Sequence, residues 1–422
     1  MEPDGSWPIV WERARSVFVW DADGKKYLDL TAAFGVAAAG HANPNVVKAG
    51  QRQMGRLLHA MGDVHPHPRK AELARELSRI TFERWSRFTG KTIFCNSGFE
   101  AVEAALKTAL LATGRRGVVA FTGAYHGLGY GTLNVTHRDF FRGPFHSQLR
   151  AFGRFVPFPT ISERRLAQAS DNRDLRSASL SDTETRLRGI FRREKIGAIL
   201  VEPVQVRGGI RIPPPGFLPL LRKLCDESGA LLILDEIYTG LGRTGKWFAC
   251  EHGRVVPDLI CLGKALTGGF PLSACVGRAA LMDAAWPPSR GEAIHTSTFL
   301  GHPVGCAMAL AQIAEVEKLN LPARAARLGK FLLQELSKVQ GSKLKTEARG
   351  LGLLAGVELK RPDGKPATVE TFDAIKQMLR RGFILLPEGE HANVISFTPP
   401  LTIAKTQLAK AVAALAEILS HG

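Results

Sequence analysis

From Lys91 onward the chain alternates short apolar runs with stretches of helical periodicity, and no other feature restricts its fold so strongly. The runs are Thr92 to Cys95, Gly117 to Phe121, Ile196 to Val201, Ala230 to Leu234 and Leu259 to Leu262. Runs of this length with helical stretches between them suit strands covered on both faces and joined by crossovers. The expected class is therefore α/β, built on a large, mostly parallel sheet. Near the N-terminus, Val17-Phe18-Val19-Trp20 and Lys26 to Leu30 flank Asp21-Ala22-Asp23-Gly24, which predicts a hairpin. A helical pattern covers about Asn45 to His59. The pattern breaks at Leu319-Asn320-Leu321-Pro322, and a smaller C-terminal domain is expected beyond it. The polar stretch from Ile161 to Arg188 reads as surface loops and an exposed helix.

With 422 residues, 45% of them hydrophobic, the chain can bury the core of more than one domain. Its formal net charge of +17 raises the question of nucleic acid. The cations are dispersed, however, with nothing longer than pairs such as Arg192-Arg193 and Arg380-Arg381, and no aromatic-interleaved basic motif. A solvated surface with a bias toward anionic substrates explains the charge better, and no nucleic-acid partner is expected. No apolar run is long enough to span a bilayer, so no membrane partner is expected. The opening Met-Glu-Pro-Asp-Gly-Ser-Trp-Pro lacks the apolar segment of a secretory signal. Cys95, Cys225, Cys250, Cys261, Cys275 and Cys306 show no C-x-x-C spacing. Free thiols and a cytoplasmic location are the simplest account.

The chemistry concentrates around two residues. The run Leu231 to Leu234 delivers Asp235 to a strand tip, and Lys264 follows in Gly-Lys-Ala-Leu-Thr-Gly-Gly. A lone amine beside a glycine-rich turn and a carboxylate at a strand end are the two groups that pyridoxal phosphate (PLP) requires. The amine holds the cofactor as a Schiff base, and the anion keeps the pyridine nitrogen protonated. Between them lies a decoy. Gly240-Leu241-Gly242-Arg243-Thr244-Gly245-Lys246 matches G-x-G-x-x-G and nearly completes a P-loop. Five residues separate its first glycine from the strand, and Trp247 stands where a P-loop carries its Mg²⁺-binding Ser or Thr. A nucleotide-binding protein is therefore the weaker reading. His65-Pro66-His67-Pro68 supplies too few ligands for a metal, and no metal site is expected.

The run Asp235 to Gly245, with Pro257-Asp258 and Gly263-Lys264-Ala265-Leu266, resembles the class III PLP-dependent aminotransferases. The likeness extends from Gly40-His41-Ala42-Asn43-Pro44 to Pro399-Pro400-Leu401-Thr402-Ile403. It implies a PLP transferase of fold-type I with PLP as cofactor, and a homodimer with active sites at the subunit interface. It also implies a smaller α+β domain drawn from both termini. The expected parts are 1–55 and 321–422 for that domain and 56–320 for the large one. By resemblance, Lys264 carries the cofactor and moves the substrate proton, and Asp235 partners the pyridinium N–H. Ser97, Gly98 and Phe99 match S-G-x-E-A, where a helix N-terminus cups the phosphate. Tyr125-His126-Gly127 matches Y-H-G, whose aromatic stacks on the ring. Glu202 in Glu-Pro-Val-Gln lies near the ring, and Ile237 packs on the face opposite Tyr125. Tyr238 stands where Gln is more usual. Thr298 resembles the Thr that reaches the phosphate from the other subunit.

Departures fall on substrate-facing positions. Many members pair a glutamate after E-P-x-Q with an arginine before the C-terminal P-P-L, and that arginine holds a substrate carboxylate. Here the two positions read Arg207 and Ser396. Phe34 stands where ornithine aminotransferases carry a Tyr. A serine hydroxyl cannot replace a guanidinium's charge. Either Arg207 takes over carboxylate binding, or it points to solvent or pairs structurally. The expected activity is transfer of an amino group from a primary amine or amino acid to a keto acid, pyruvate or 2-oxoglutarate, by a ping-pong route. A PLP racemase, aminomutase or decarboxylase on the same scaffold is the alternative.

Overall fold

A computed structural model of the chain describes residues 7–62, 64–160, 172–288 and 292–421. The expected hairpin is present. Strand β1 (Trp11–Arg15) pairs with β2 (Phe18–Asp21), which turns through Gly24 into β3 (Lys26–Asp29). The carboxylate of Asp21 closes that turn, accepting from Lys25 N at 2.8 Å and from the Tyr27 hydroxyl at 2.7 Å. The helical pattern after Asn43 forms Pro44–Met54, capped by the Asn43 side chain.

The central sheet holds β4 (Gly90–Cys95), β5 (Gly117–Phe121), β6 (Gly153–Val156), β7 (Ile196–Val201), β8 (Leu231–Asp235), β9 (Leu259–Leu262) and β10 (Ser273–Arg278). Their order is β4-β10-β9-β8-β7-β5-β6. Every pairing from β6 to β9 is parallel, while β10 runs antiparallel to both β9 and β4. Thus β4 to β9 all point one way, and their carboxyl ends share one edge. The unbroken apolar runs have a direct cause, since both faces are covered. Ile199, Leu232, Leu234 and Ile260 pack into one core, while Ala198, Leu200, Ile233, Leu259 and Cys261 pack into another on the opposite face.

Sequence patterning misses β6 and β10. The first, Gly-Arg-Phe-Val, is a half-buried edge strand, and the second, Ser-Ala-Cys-Val-Gly-Arg, is built from small residues that give little strand signal. Beyond the break at residue 320, β11 (Lys345–Leu351), β12 (Leu354–Lys360), β14 (Leu386–Glu388) and β15 (Val394–Phe397) form a third, antiparallel sheet. The short β13 (Phe383–Ile384) crosses to the N-terminal hairpin and pairs in parallel with β3. One sheet thereby unites the two ends of the chain.

Of the polar stretch from 161 to 188, residues 161–171 lie outside those described. The helix Asn172–Arg193 follows, burying Leu187 while Arg186 and Arg188 bond outward to Asp182 and Glu184. The decoy glycine loop is structural. Arg243 is fully buried there and donates to the Leu353 and Pro399 carbonyls at 2.9 and 2.6 Å, tying the loop to the C-terminal segment. His67 caps the helix Pro68–Ile80 by accepting from Lys70 N, and its Nε2 donates to the Gly301 carbonyl at 2.7 Å. All six cysteines are buried free thiols, and no helix among the described residues is long and apolar enough to cross a membrane.

Candidate active site

The shared strand edge delivers chemistry from five strands. Asp235 ends β8, Glu202 follows β7, Lys264 follows β9, Tyr125 and His126 follow β5, and Gly98 and Phe99 follow β4. In open parallel sheets ligands bind at the carboxyl ends of strands. All seven of these residues line one cavity of 1090 Å³, together with Phe34, Arg138, Arg207, Ile237 and Tyr238.

At its centre, His126 Nδ1 donates to Asp235 Oδ2 at 2.8 Å, and Asp235 Oδ1 accepts from Ile237 N at 3.1 Å. Both side chains are buried, and the second imidazole nitrogen of His126 has no hydrogen-bond partner. Beside them Glu202 accepts from Tyr125 N at 3.0 Å and Val206 N at 3.3 Å, which holds the Tyr125 loop against β7. Burial pushes the Glu202 carboxyl up to about 7, a shift that the nearby His126 opposes and Asp235 reinforces. Gly127 follows at φ 106°, and a Cβ there would sit 2.2 Å from the Phe99 Cβ. Glycine is thus required where this loop crosses the start of the helix Gly98–Thr113.

That helix begins with a capping box. Glu100 Oε2 accepts from Ser97 N at 2.7 Å and Asn96 N at 2.8 Å. Gly98 and Phe99, the first two helical residues, face the cavity, and helix N-termini attract anions. A Cβ on Gly98 would press on Ile237 at 3.0 Å, so glycine leaves the two segments in contact. Ser97 caps the helix without lining the cavity.

Lys264 stands in left-handed backbone at φ 43°, a conformation that costs a non-glycine residue roughly 1–3 kcal/mol. Its Nζ lies 4.7 Å from the centre of the Tyr238 ring. Burial lowers the amine's pKa, while Asp235, Glu202 and Glu388 pull it back up. Tyr238 is fixed through its hydroxyl, 3.2 Å from Thr398 Oγ1. A second strained element lies at the mouth. Ala32, Ala33, Phe34 and Gly35 have φ of 47°, 49°, 60° and 83°, a left-handed turn that presents Phe34 to the cavity with half its surface exposed. Glu236, by contrast, is spent on structure, accepting from Ala249 N, Cys250 N and the Thr239 hydroxyl.

The donor set fits pyridoxal phosphate. An amine and a carboxylate share one buried cavity, an aromatic and an aliphatic side chain line it, and a helix N-terminus opens onto it. An orphaned imidazole nitrogen lies behind the carboxylate.

Two expectations need adjustment. Ser396 is buried in β15, donates to the Leu386 carbonyl at 3.0 Å and does not line the cavity, so its hydroxyl is not presented to substrate. Arg207 lines the cavity but is not an unpaired cation, because Glu388 Oε2 lies 3.1 Å from its Nη1. Its guanidinium also approaches the Tyr125 ring at 5.9 Å. Thr298, expected to serve the other subunit's site, is exposed and does not line this chain's own cavity. Two residues went unnoticed in the sequence. Glu388, in Leu-Pro-Glu-Gly-Glu, carries no local signal, and burial pushes its carboxyl up to about 7. Arg138 follows the Tyr-His-Gly motif closely enough that proximity could have drawn attention to it.

Comparison with known proteins gives a consistent answer. The family model described as aminotransferase class-III matches residues 2–419. The chain is 37% identical over 421 residues to the 5-aminovalerate aminotransferase DavT of Pseudomonas aeruginosa, covering 97% of this chain and 93% of that enzyme. It is 38% identical over 412 residues to an acetylornithine aminotransferase of Methanopyrus kandleri, covering 98% and 94%. An amine transaminase from an uncultivated Pseudomonas species, solved with PLP bound, superposes with a TM-score of 0.89 at 29% identity, covering 99% of this chain and 96% of that one.

Proposed function

Because the chain belongs to the class-III aminotransferases, PLP enzymes that transfer amino groups, we propose that it moves an amino group from a primary amine or amino acid to pyruvate or 2-oxoglutarate by a ping-pong route. The observation that carries this reading is the convergence of the Lys264 amine and the Asp235 carboxylate on one cavity at the strand ends. The names of two relatives, 5-aminovalerate and acetylornithine aminotransferase, point to donors that bear a carboxylate as well as an amine.

PLP supplies an electron sink for negative charge at the carbon bearing the amine. Lys264 would hold it covalently until substrate arrives, and its freed Nζ would then move the proton from that carbon to the cofactor. The lowered pKa of this amine supports the role, since a base must lose its own proton first. Asp235 would accept from the protonated ring nitrogen, with His126 fixing the orientation of its carboxylate. Tyr125 and Ile237 would flank the ring, with Glu202 holding the Tyr125 loop and Tyr238 below Lys264. The N–H groups at Gly98 and Phe99, with Ser97, would receive the phosphate. Phe34 would shape the amine side of the pocket.

The same reading includes a homodimer in which Thr298 reaches the neighbouring active site. Exposed Leu57, Leu58, Met61, Val64, Ile294 and Phe299 support it, because His59 meets the Phe299 ring at 5.3 Å, joining two exposed apolar segments beside Thr298, and such a surface favours a partner.

The test is the visible colour of the holoenzyme as amines and amino acids are added singly, without keto acid. Bleaching that pyruvate or 2-oxoglutarate reverses identifies the donor. Persistent colour with a racemised, rearranged or decarboxylated amino acid would reject transamination.

A further inference from the structure

The cavity wall carries two guanidiniums, Arg138 and Arg207, and their surroundings differ. Arg207 has a carboxylate of its own in Glu388. Arg138 donates one N–H to the Arg207 main-chain carbonyl, and no carboxylate lies within ion-pair distance of it among the described residues. The other acids on the wall are occupied or turned outward. Asp235 holds His126, and Glu202 holds the backbone of Tyr125 and Val206. Asp139 is exposed and pairs with His146 at 3.3 Å, and Glu390 is exposed. Arg138 is itself half-buried, in a wall that also contains Phe140 and Phe141.

A guanidinium placed this way keeps several N–H donors free and touches no carboxylate, although Glu388 and Glu390 lie near enough to act on its charge. An arriving carboxylate would satisfy those donors through two parallel hydrogen bonds. We propose that Arg138 is the specificity-determining residue that receives the carboxylate of the amino-acid and keto-acid substrates, while Arg207 is held by Glu388 as part of the pocket wall. Desolvation and the neighbouring Arg207 depress the Arg138 guanidinium's pKa more than Glu388 and Glu390 raise it, and a bound anion would relieve that balance. The inference rests on the aminotransferase reading only for the identity of the substrates, since carboxylate capture is a property of the cavity alone.

The test uses valerate, an unreactive carboxylate, and butylamine, an amine without one. Calorimetric titration of the holoenzyme with valerate is compared for wild type, R138Q, R138K and the charge-neutral double variant R207Q/E388Q. Losing a charge-assisted contact of this kind weakens binding by roughly ten- to a hundredfold. The expected result is a loss of that size in R138Q, partial recovery in R138K, and a smaller loss in R207Q/E388Q. In R138Q the loss for valerate should also exceed any rise in the butylamine KM by about tenfold or more. Unchanged valerate affinity in R138Q, a larger loss in R207Q/E388Q, or equal losses for valerate and butylamine would each overturn the proposal. If wild type fails to take an amino group from any amine, the functional reading falls, while the valerate titration still reports on Arg138.

Discussion

Replacing Glu388 with Gln breaks the Arg207 ion pair, yet it should stabilise the protein at alkaline pH. Glu388 is only 3% exposed, and burial outweighs the attraction of Arg207, Arg138 and Lys264, so its carboxyl stands at about 7 against an ordinary 4.5. A raised carboxyl means that the folded state holds a proton the unfolded chain has released. Stability therefore falls as pH rises through the interval from 4.5 to about 7, by about 1.4 kcal/mol for each pH unit. Between about pH 5.5 and about pH 8 this one group should remove roughly 2 kcal/mol from wild type and nothing from E388Q. Gln reproduces the shape of the protonated acid, so the two proteins should match only below about pH 4.5, with E388Q ahead by about 1.4 kcal/mol at about pH 5.5 and about 3.4 kcal/mol at about pH 8. Urea unfolding of both holoenzymes at matched protein and PLP concentration, across that pH range, measures the difference directly. If E388Q instead loses ground as pH rises, the ion pair outweighs the burial, and the raised Glu388 carboxyl is refuted.

Other outcomes follow from the same geometry. Lys264→Ala removes the group assigned to proton transfer, and kcat should fall by roughly 10²–10⁴-fold or more in a coupled transamination assay. Asp235→Asn keeps the shape but removes the anion facing His126. We expect kcat to fall by about 10²–10³-fold with a smaller change in KM, and an unchanged kcat would exclude the electrostatic role. Gly127→Ala forces a Cβ to within 2.2 Å of Phe99 at a positive φ, and should cost about 1–3 kcal/mol in chemical denaturation together with weaker PLP retention.

Much of the scaffold was legible because its signals are local. The runs at Gly117–Phe121, Ile196–Val201 and Leu259–Leu262 coincide with β5, β7 and β9, since a strand buried on both faces must be apolar throughout. Lys264 and Asp235 stood out for a similar reason: each follows such a run and carries a functional group where a sheet edge was expected. Motif order then extended the reading to Ser97–Phe99, Tyr125–Gly127 and Glu202. The strands β6 and β10 were invisible because edge position and small side chains erase the hydrophobic pattern.

What the chain alone could not reveal is which charges meet. His126 and Asp235 are 109 residues apart, and Arg207 and Glu388 are 181 apart. Periodicity records which face of an element is buried. It does not record which loop from another strand will arrive opposite it. The sequence therefore determined the α/β scaffold, the amine and the strand-end carboxylate. Tertiary structure decided that Arg207 is already paired, that Ser396 faces a backbone carbonyl, and that Arg138 donates to a backbone carbonyl on the wall. The physical reason is that a charge's role depends on its desolvation and on its counter-ion, and both are set only when distant segments close around the same cavity.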